Sequence, residues 1–542
     1  MTLLIAAAFA QDIPAGERID NAVAAVAGDA AFDELGGIVG TLVPEDIALD
    51  PTGDSDGWGC VNYAYLVENM TVDVAILDTD FGPGDGVIDV EVDTEIAIND
   101  ASNPFDLTIE LFCNETFCPG YVDPFPATLK TSIALSVVEV DGQNVLDATV
   151  APFELDNGLV GDDIHLDCAI GDVETVLSWF GLSLYDLIIG ALESQLSGQL
   201  EDMRADMETQ LEEAFSALTI DEVVALGDAE LRIVLEPEDV RITPDDFTLV
   251  LGGNAEASSV AECIADDDPG SSAGTTGDVP GADALGDHHA AILVSDDFGN
   301  QAAYAAWRSG LLCQTVAEGA GLTLTTDILS ALTGGVHDEL FDDSRPLTLA
   351  IRPHAPPELA TSEAVPAVTL ERFGMDMIAE VDDRMARVVG LEMDALVGIP
   401  MNFDETTGEL AIEVSIDEET LSAQVVHNEL VAGTDEEVAT AFVEGIGPFL
   451  DVAIGALAGS LSFNMPAFEG IGVTGLSAGF HEDWLSIGVN LGEPQYEPSS
   501  CEDGCSGGCS TGGGLSGLAL FLALGALRRR HGLQERAALL RR

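Results

Sequence analysis

Between residues 88 and 98 the chain alternates apolar and acidic positions. Ile88, Val90, Val92, Ile96 and Ile98 fall on one parity; Asp89, Glu91, Asp93 and Glu95 fall on the other. A period of two marks a strand with one dry and one wet face. The same period runs from about 62 to 170, and "SIALSVVEVDGQNVLDATV" predicts a hairpin turning at Asp141-Gly142. This stretch reads as an antiparallel meander. Ahead of it, residues 14–43 carry a helical pattern.

The period then lengthens. Leu192, Leu196, Leu200, Met203, Met207, Leu211 and Phe215 recur every three or four residues, with carboxylates on the other face. That spacing predicts a long amphipathic helix. The stripe has two readings. It packs against a sheet, which the pattern alone favours, or it lines a lipid cavity in which the two methionines adapt to variable ligands.

Strand-like segments return near 229–251. "ADDDPGSSAGTTGDVPGADALGDHHA" then breaks every pattern and reads as an interdomain linker, placed at 251–286. His288 and His289 follow it without enough neighbouring ligands for a metal, and read as an exposed linker end. The second half repeats the order of the first. Helical "FGNQAAYAAWRSGLLCQTV" precedes "RPLTLAIRP", with Leu347, Leu349 and Ile351 inward, and "GELAIEVSIDEE", with Leu410, Ile412, Val414 and Ile416 inward. An apolar helix is expected from about Glu436 to Ser462, and "WLSIGVNLG" closes the body as a strand. Helix, meander, long helix and strand occur twice. The economical reading is an α+β chain built from two copies of one sheet-plus-helix module, at 11–250 and 287–497.

Charge narrows the partners. The 542 residues hold 98 Asp plus Glu against 17 Lys plus Arg, a net of −81. Lys130 is the only lysine, and six arginines sit at the extreme C-terminus. Such a surface repels nucleic acid and anionic headgroups, so no nucleic-acid partner is expected. A salt-rich environment, which screens carboxylate repulsion, would accommodate it. Apolar residues make up 47%, enough for sizeable cores.

Nine cysteines fit an exported protein. Leu3–Ala10 is a short apolar run ending in Ala8-Phe9-Ala10, the form of a signal-peptidase site, so residues 1–10 read as a signal peptide lacking its basic start. An apolar N-terminal strand is the alternative. Six cysteines lie in the body. Cys113 and Cys118 could close a short loop, leaving Cys60–Cys168 and Cys263–Cys313. The body has no C-x-x-C for zinc.

"DTDFGPGDGVID" places Asp78, Asp80, Asp85 and Asp89 around glycines, which suits a calcium loop. Its spacing is irregular, and an acidic hairpin tip is the plainer reading; no other cofactor is expected. Nucleophile elbows, zinc-protease motifs, P-loops and dinucleotide fingerprints are absent from the sequence, so no enzyme is expected.

Residues 290–312, "AAILVSDDFGNQAAYAAWRSGLL", resemble the opening of the C-terminal barrel of the bactericidal/permeability-increasing and lipopolysaccharide-binding protein family, part of the TULIP group. Later features keep that family's order: a Pro-containing strand end at "RPHAPPEL" (352–359), a long helix with Pro448, and "FNMPAFEGIGVTGLSAGFHEDWLSIGVNL" (463–491). Residues 160–218 are similar to the passage from strand into long helix in the first barrel. The resemblance covers roughly 14–495. It implies two barrels, each a strongly curved antiparallel sheet wrapped around a long helix, in an elongated body. It also implies acyl chains of phospholipid or another lipid held between helix and sheet. Part of the 192–215 stripe would then face lipid, with Phe442, Phe449, Leu450, Ile454 and Leu457 as second-barrel counterparts. The family's cationic tip is missing here, so its grip on lipopolysaccharide phosphates is not implied. Its first-barrel disulfide runs from a position like Cys168 to the long helix, where this chain has no cysteine, so Cys168 is free or paired elsewhere.

The C-terminus reads as an address. A Cys/Gly-rich linker (498–514) leads to an apolar run, Leu515–Leu527, short for a bilayer core of ~30 Å, and then Arg528, Arg529 and Arg530. This order resembles the MYXO-CTERM type of sorting signal, with Cys505 or Cys509 as the processed residue and display at the outer surface. A weak permanent anchor within 515–542 is the alternative. Together these features predict an exported, surface-displayed, non-enzymatic lipid-binding or lipid-transfer protein; the alternative is a structural or adhesive module with filled cavities.

Overall fold

A computed structural model describes residues 13–40, 46–58, 61–111, 113–157, 159–168, 183–215, 218–226, 229–264, 270–274, 277–316, 325–361, 365–417, 419–430, 434–445, 462–465 and 471–496. The chain is mostly sheet with few helices, and its strand pairs are antiparallel.

A seven-stranded sheet draws on both ends of the chain. Its order is Ile220–Leu226, Ala229–Thr243, Asp246–Ala257, Ile19–Gly28, Ala290–Ser295, Trp484–Gly492, Gly472–His481. Two of its middle strands run directly into helices, Ile19–Gly28 into Asp29–Gly40 and Ala290–Ser295 into Asp296–Arg308. They lie side by side, Ala25 opposite Ile292. The helical pattern expected over 14–43 is therefore wrong for its first part. Ala22 to Ala27 are all buried, because both faces of this strand are covered. A strand covered on both faces loses the period of two and reads as a continuous apolar run.

A ten-stranded sheet spans 46–166, organised on one 27-residue strand, Asn114–Val140. One edge of that strand pairs first with Phe105–Leu111 and then with Ile88–Ile98; the other meets Ile164–Leu166, Glu154–Asn157 and Gln143–Val150 in turn. Sharing so long a strand among successive partners curls the sheet into a half-barrel. The alternation over 88–98 holds: Ile88, Val90, Val92, Ile96 and Ile98 are buried, and Thr94 joins them by donating its hydroxyl to the Ala127 carbonyl at 2.9 Å. At the hairpin tip, Asp141 and Gly142 have φ of 54° and 85°, the left-handed pair that a two-residue turn needs to match strand twist.

In the second half, a seven-stranded sheet covers 314–427 and a small three-stranded one joins Met401–Asp404, Glu409–Ile412 and Ser462–Asn464. Two inward assignments change. In Leu347–Pro353 the buried residues are Leu347, Ala350 and Pro353, while Leu349 and Ile351 are half-buried. "GELAIEVSI" is two strands in different sheets: Glu409–Ile412, with Leu410 buried, and Ser415–Ile416, with Ile416 half-buried. Of the helix expected over 436–462, residues 435–445 are helical and 462–464 form a strand; 446–461 lie outside the described residues.

Residues 251–257 belong to a strand, so irregular backbone begins at 258 rather than 251. The segment beyond it is pinned to the sheets: Ser271 bridges Ile13, and Leu285 is buried against Val26 and Leu293. His288 bonds to the Ser477 hydroxyl at 2.6 Å and His289 accepts from the Leu491 amide, so neither is a free linker end.

The cysteine pairing differs in part from expectation. Cys263–Cys313 forms as predicted. Cys118 bonds Cys168 rather than Cys113, and Cys113 is in a different disulfide. The reason is the strand itself. Four strand steps at ~3.3 Å each put Asn114 roughly 13 Å from Cys118, so Cys113, in the turn next to Asn114, lies beyond the ~7 Å Cα reach of a disulfide to Cys118. Cys60 lies outside the described residues.

Candidate functional site

The long helix, Leu184–Phe215, lies against the curled sheet. Apolar residues every three or four positions give it one dry face, and Arg204, its one basic residue, fixes its azimuth. The guanidinium donates to Glu201 at 2.7 Å, to Glu208 at 3.1 Å and to the Val150 carbonyl at 3.2 Å, tying the helix to the strand Gln143–Val150. Arg204 also holds the Glu201 carboxyl below the usual carboxylate range.

Each end of the stripe enters a different core. Leu196 belongs to the buried cluster that holds Val67, Val72, Ile98, Phe105 and Val122. Leu211 and Phe215 belong to the one that holds Phe81, Ile88, Val90, Leu146 and Val150, and Leu200 and Met207 rest half-buried on that cluster. Met203, between them, is half-buried and joins none of the described core clusters. The Leu192 side chain is outside the described residues. Most of the predicted stripe thus meets sheet side chains.

In the second half, Phe442 is fully buried beside Val438, with Leu329, Met377, Val388 and Leu391 around them. Phe449, Leu450, Ile454 and Leu457 lie outside the described residues. The next row of the same helix, Ala439 and Val443, faces outward into a groove of about 550 Å³. Ala423, Gln424 and Val425 form its opposite wall. They belong to Ser422–His427, which pairs with Arg384–Gly398. A third helical row, Glu436, Thr440 and Glu444, and Asp435 at the helix start, form the rim. A hydrogen-bonded network, buried at His337 and exposed at Asp435, runs along this corner. His337 bonds the Thr333 hydroxyl at 3.0 Å and the Asn428 amide oxygen at 3.3 Å, and Asn428 donates to Asp435 at 3.3 Å. Burial lowers the His337 pKa, against the opposing pull of Asn428 and Asp338. The groove escaped the sequence reading because its walls lie far apart along the chain; the row Glu436, Thr440, Glu444 beside Ala439 and Val443 was the available signal.

The proposed calcium acids are dispersed along a hairpin. Asp78 faces Asp93, Asp80 faces Glu91 across the strands, Asp89 faces Gly82, and Asp85 sits in the turn. Among the described residues no three His, Cys, Asp or Glu side chains are grouped to hold a metal. Lys130 is paired with Glu91 at 2.8 Å. No described helix is long and apolar enough to cross a membrane. Residues 1–10, Cys505, Cys509, the 515–527 run and Arg528, Arg529 and Arg530 lie outside the described residues.

No family model and no curated protein matches the sequence. Among solved structures, the crystal structure of lipopolysaccharide binding protein aligns with 88% of this chain and 100% of its own, at 12% identity and a TM-score of 0.50. P47 of Clostridium botulinum E1 aligns over a similar span at 9% identity, with a TM-score of 0.24 too low to bear on the fold. The half-barrel sheet and the order of elements, taken with the first of these, give the chain a fold like that of lipopolysaccharide binding protein.

Proposed function

We propose that this chain is an exported, non-enzymatic lipid-binding or lipid-transfer protein built from two sheet-plus-helix modules, and that it holds acyl chains between helix and sheet. The observation that carries this reading is a long amphipathic helix laid along a curled sheet, in a chain with the fold of lipopolysaccharide binding protein. Burying methylenes, at ~0.8 kcal/mol each, supplies the affinity without catalytic groups. The groove beside Val443 offers such a chain an apolar wall at Val425, Ala439 and Val443. A cationic grip on phosphate is not part of the proposal, since among the described residues no Lys or Arg lines that groove. The test is uptake of a fluorescent phospholipid by the purified protein: saturable dequenching is expected, and none at any protein concentration would remove the reading.

A second reading is favoured by the first half. There Leu196, Leu211 and Phe215 are 7%, 3% and 5% exposed, met by side chains rather than by space. A structural or adhesive surface module would have its interior filled in this way. Loss of cell–cell contact in a deletion strain, with lipid uptake by the protein absent, would favour it. Surface display through the C-terminal segment is part of either reading.

A further inference from the structure

The groove between Ser422–His427 and the helix at 435–445 carries a charge pattern that acyl binding alone leaves unused. Its walls are apolar at Val425, Ala439 and Val443, and its rim carries the carboxylates Asp435, Glu436 and Glu444. Among the described residues no Lys, Arg or His lines it. Helical geometry separates the two characters: residues four apart stack in rows, so 436, 440 and 444 stand beside 439 and 443. At one end of the rim Asn428, just past the strand Ser422–His427, donates to the exposed Asp435 at 3.3 Å, and buried His337 bonds Asn428. A volume of about 550 Å³ lies within the ~300–1,000 Å³ of sites that enclose small ligands. An anionic headgroup at this rim would meet three like charges. An ammonium would meet three opposite ones, exposed carboxylates whose attraction is strongest at low salt, while its alkyl chain takes the apolar wall.

We propose that this groove binds a single-chain cationic amphiphile, its alkyl chain along Val425, Ala439 and Val443 and its ammonium among Asp435, Glu436 and Glu444. This rests on the lipid-binding reading above and narrows it to a headgroup class. The experiment is calorimetric titration of the full-length protein with dodecylamine, dodecanol and dodecyl sulfate, each below its micelle concentration. Dodecylamine should bind at least ten-fold tighter than dodecanol, and dodecyl sulfate weaker than both. Glu436→Gln with Glu444→Gln should lower amine affinity about ten-fold, to the level of the alcohol. Ala439→Trp and, separately, Val443→Trp should fill the groove and remove amine binding, with the circular dichroism spectrum and melting temperature showing which of them folds normally. Equal affinity for amine and sulfate overturns the proposal. So does amine binding that survives both tryptophan variants, which would assign it to the diffuse acidic surface. If the wild type takes up alcohol and fluorescent phospholipid with no charge preference, this inference fails and the lipid-binding reading stands. If none of these probes binds, both fall.

Discussion

Replacing Leu211 and Met203 one at a time separates the two roles that one helical stripe combines. Leu211 is 3% exposed, within the cluster that joins the long helix to Ile88, Val90, Leu146 and Val150. Leu211→Ala removes nearly the full transfer free energy of a buried leucine, about 2 kcal/mol, and leaves a cavity that strand backbones can only partly close. Together these place the cost near 3 kcal/mol, inside the ~2–5 kcal/mol span of such truncations. Met203 is half-buried and outside the described core clusters, so Met203→Ala should cost below about 1 kcal/mol. Thermal unfolding reads the difference. At ~2–4 °C per kcal/mol for a cooperative unit of 150–250 residues, Leu211→Ala should melt about 6–12 °C lower and Met203→Ala within about 4 °C of wild type. If the helix also contacts lipid, fluorescent phospholipid uptake should drop in Met203→Ala once corrected for folded fraction. A Leu211→Ala loss below 1 kcal/mol would refute the claim that this end of the helix is core.

Three further outcomes follow from particular contacts. Non-reducing peptide mapping should recover Cys118 linked to Cys168; the pair closes a separation of 50 residues, so Cys118→Ser with Cys168→Ser should cost up to about 4 kcal/mol by chain entropy, and a peptide linking Cys113 to Cys118 would contradict the register. Burial lowers the His337 pKa in the folded protein, so the unfolded chain binds the extra proton first. Stability should therefore be full above the ordinary histidine value of ~6.5 and decline as pH falls through it toward the folded pKa; His337→Gln should flatten that acid limb, and an unchanged pH profile would rule His337 out as its cause. Gly142 has φ of 85°, so Gly142→Ala should destabilise by about 1–2 kcal/mol in chemical denaturation, whereas a neutral result would mean that the tip relaxes to another turn.

The parts legible in the sequence were those with one wet and one dry face. Ile88–Ile98 alternates because water covers one side of it, and Leu184–Phe215 keeps its stripe for the same reason. The strand Ile19–Gly28 lacks a period because sheet neighbours and packed layers cover it from Ala22 onward, leaving a run of small apolar residues. Disulfide pairing depends on register: Cys118 points into the core opposite Leu107, and only the path of 164–168 back along the long strand brings Cys168 to it. The groove needed tertiary proximity between Val425 and Val443, which the chain's linear order does not contain.

Native mass spectrometry of the full-length protein, purified from its own host without detergent, tests the lipid-binding claim most directly. The account predicts a charge-state series carrying additional mass that dissociates on activation and is identified as acyl lipid after extraction. A single series at the mass of the polypeptide alone, from protein that also fails to acquire lipid when incubated with vesicles, would contradict it.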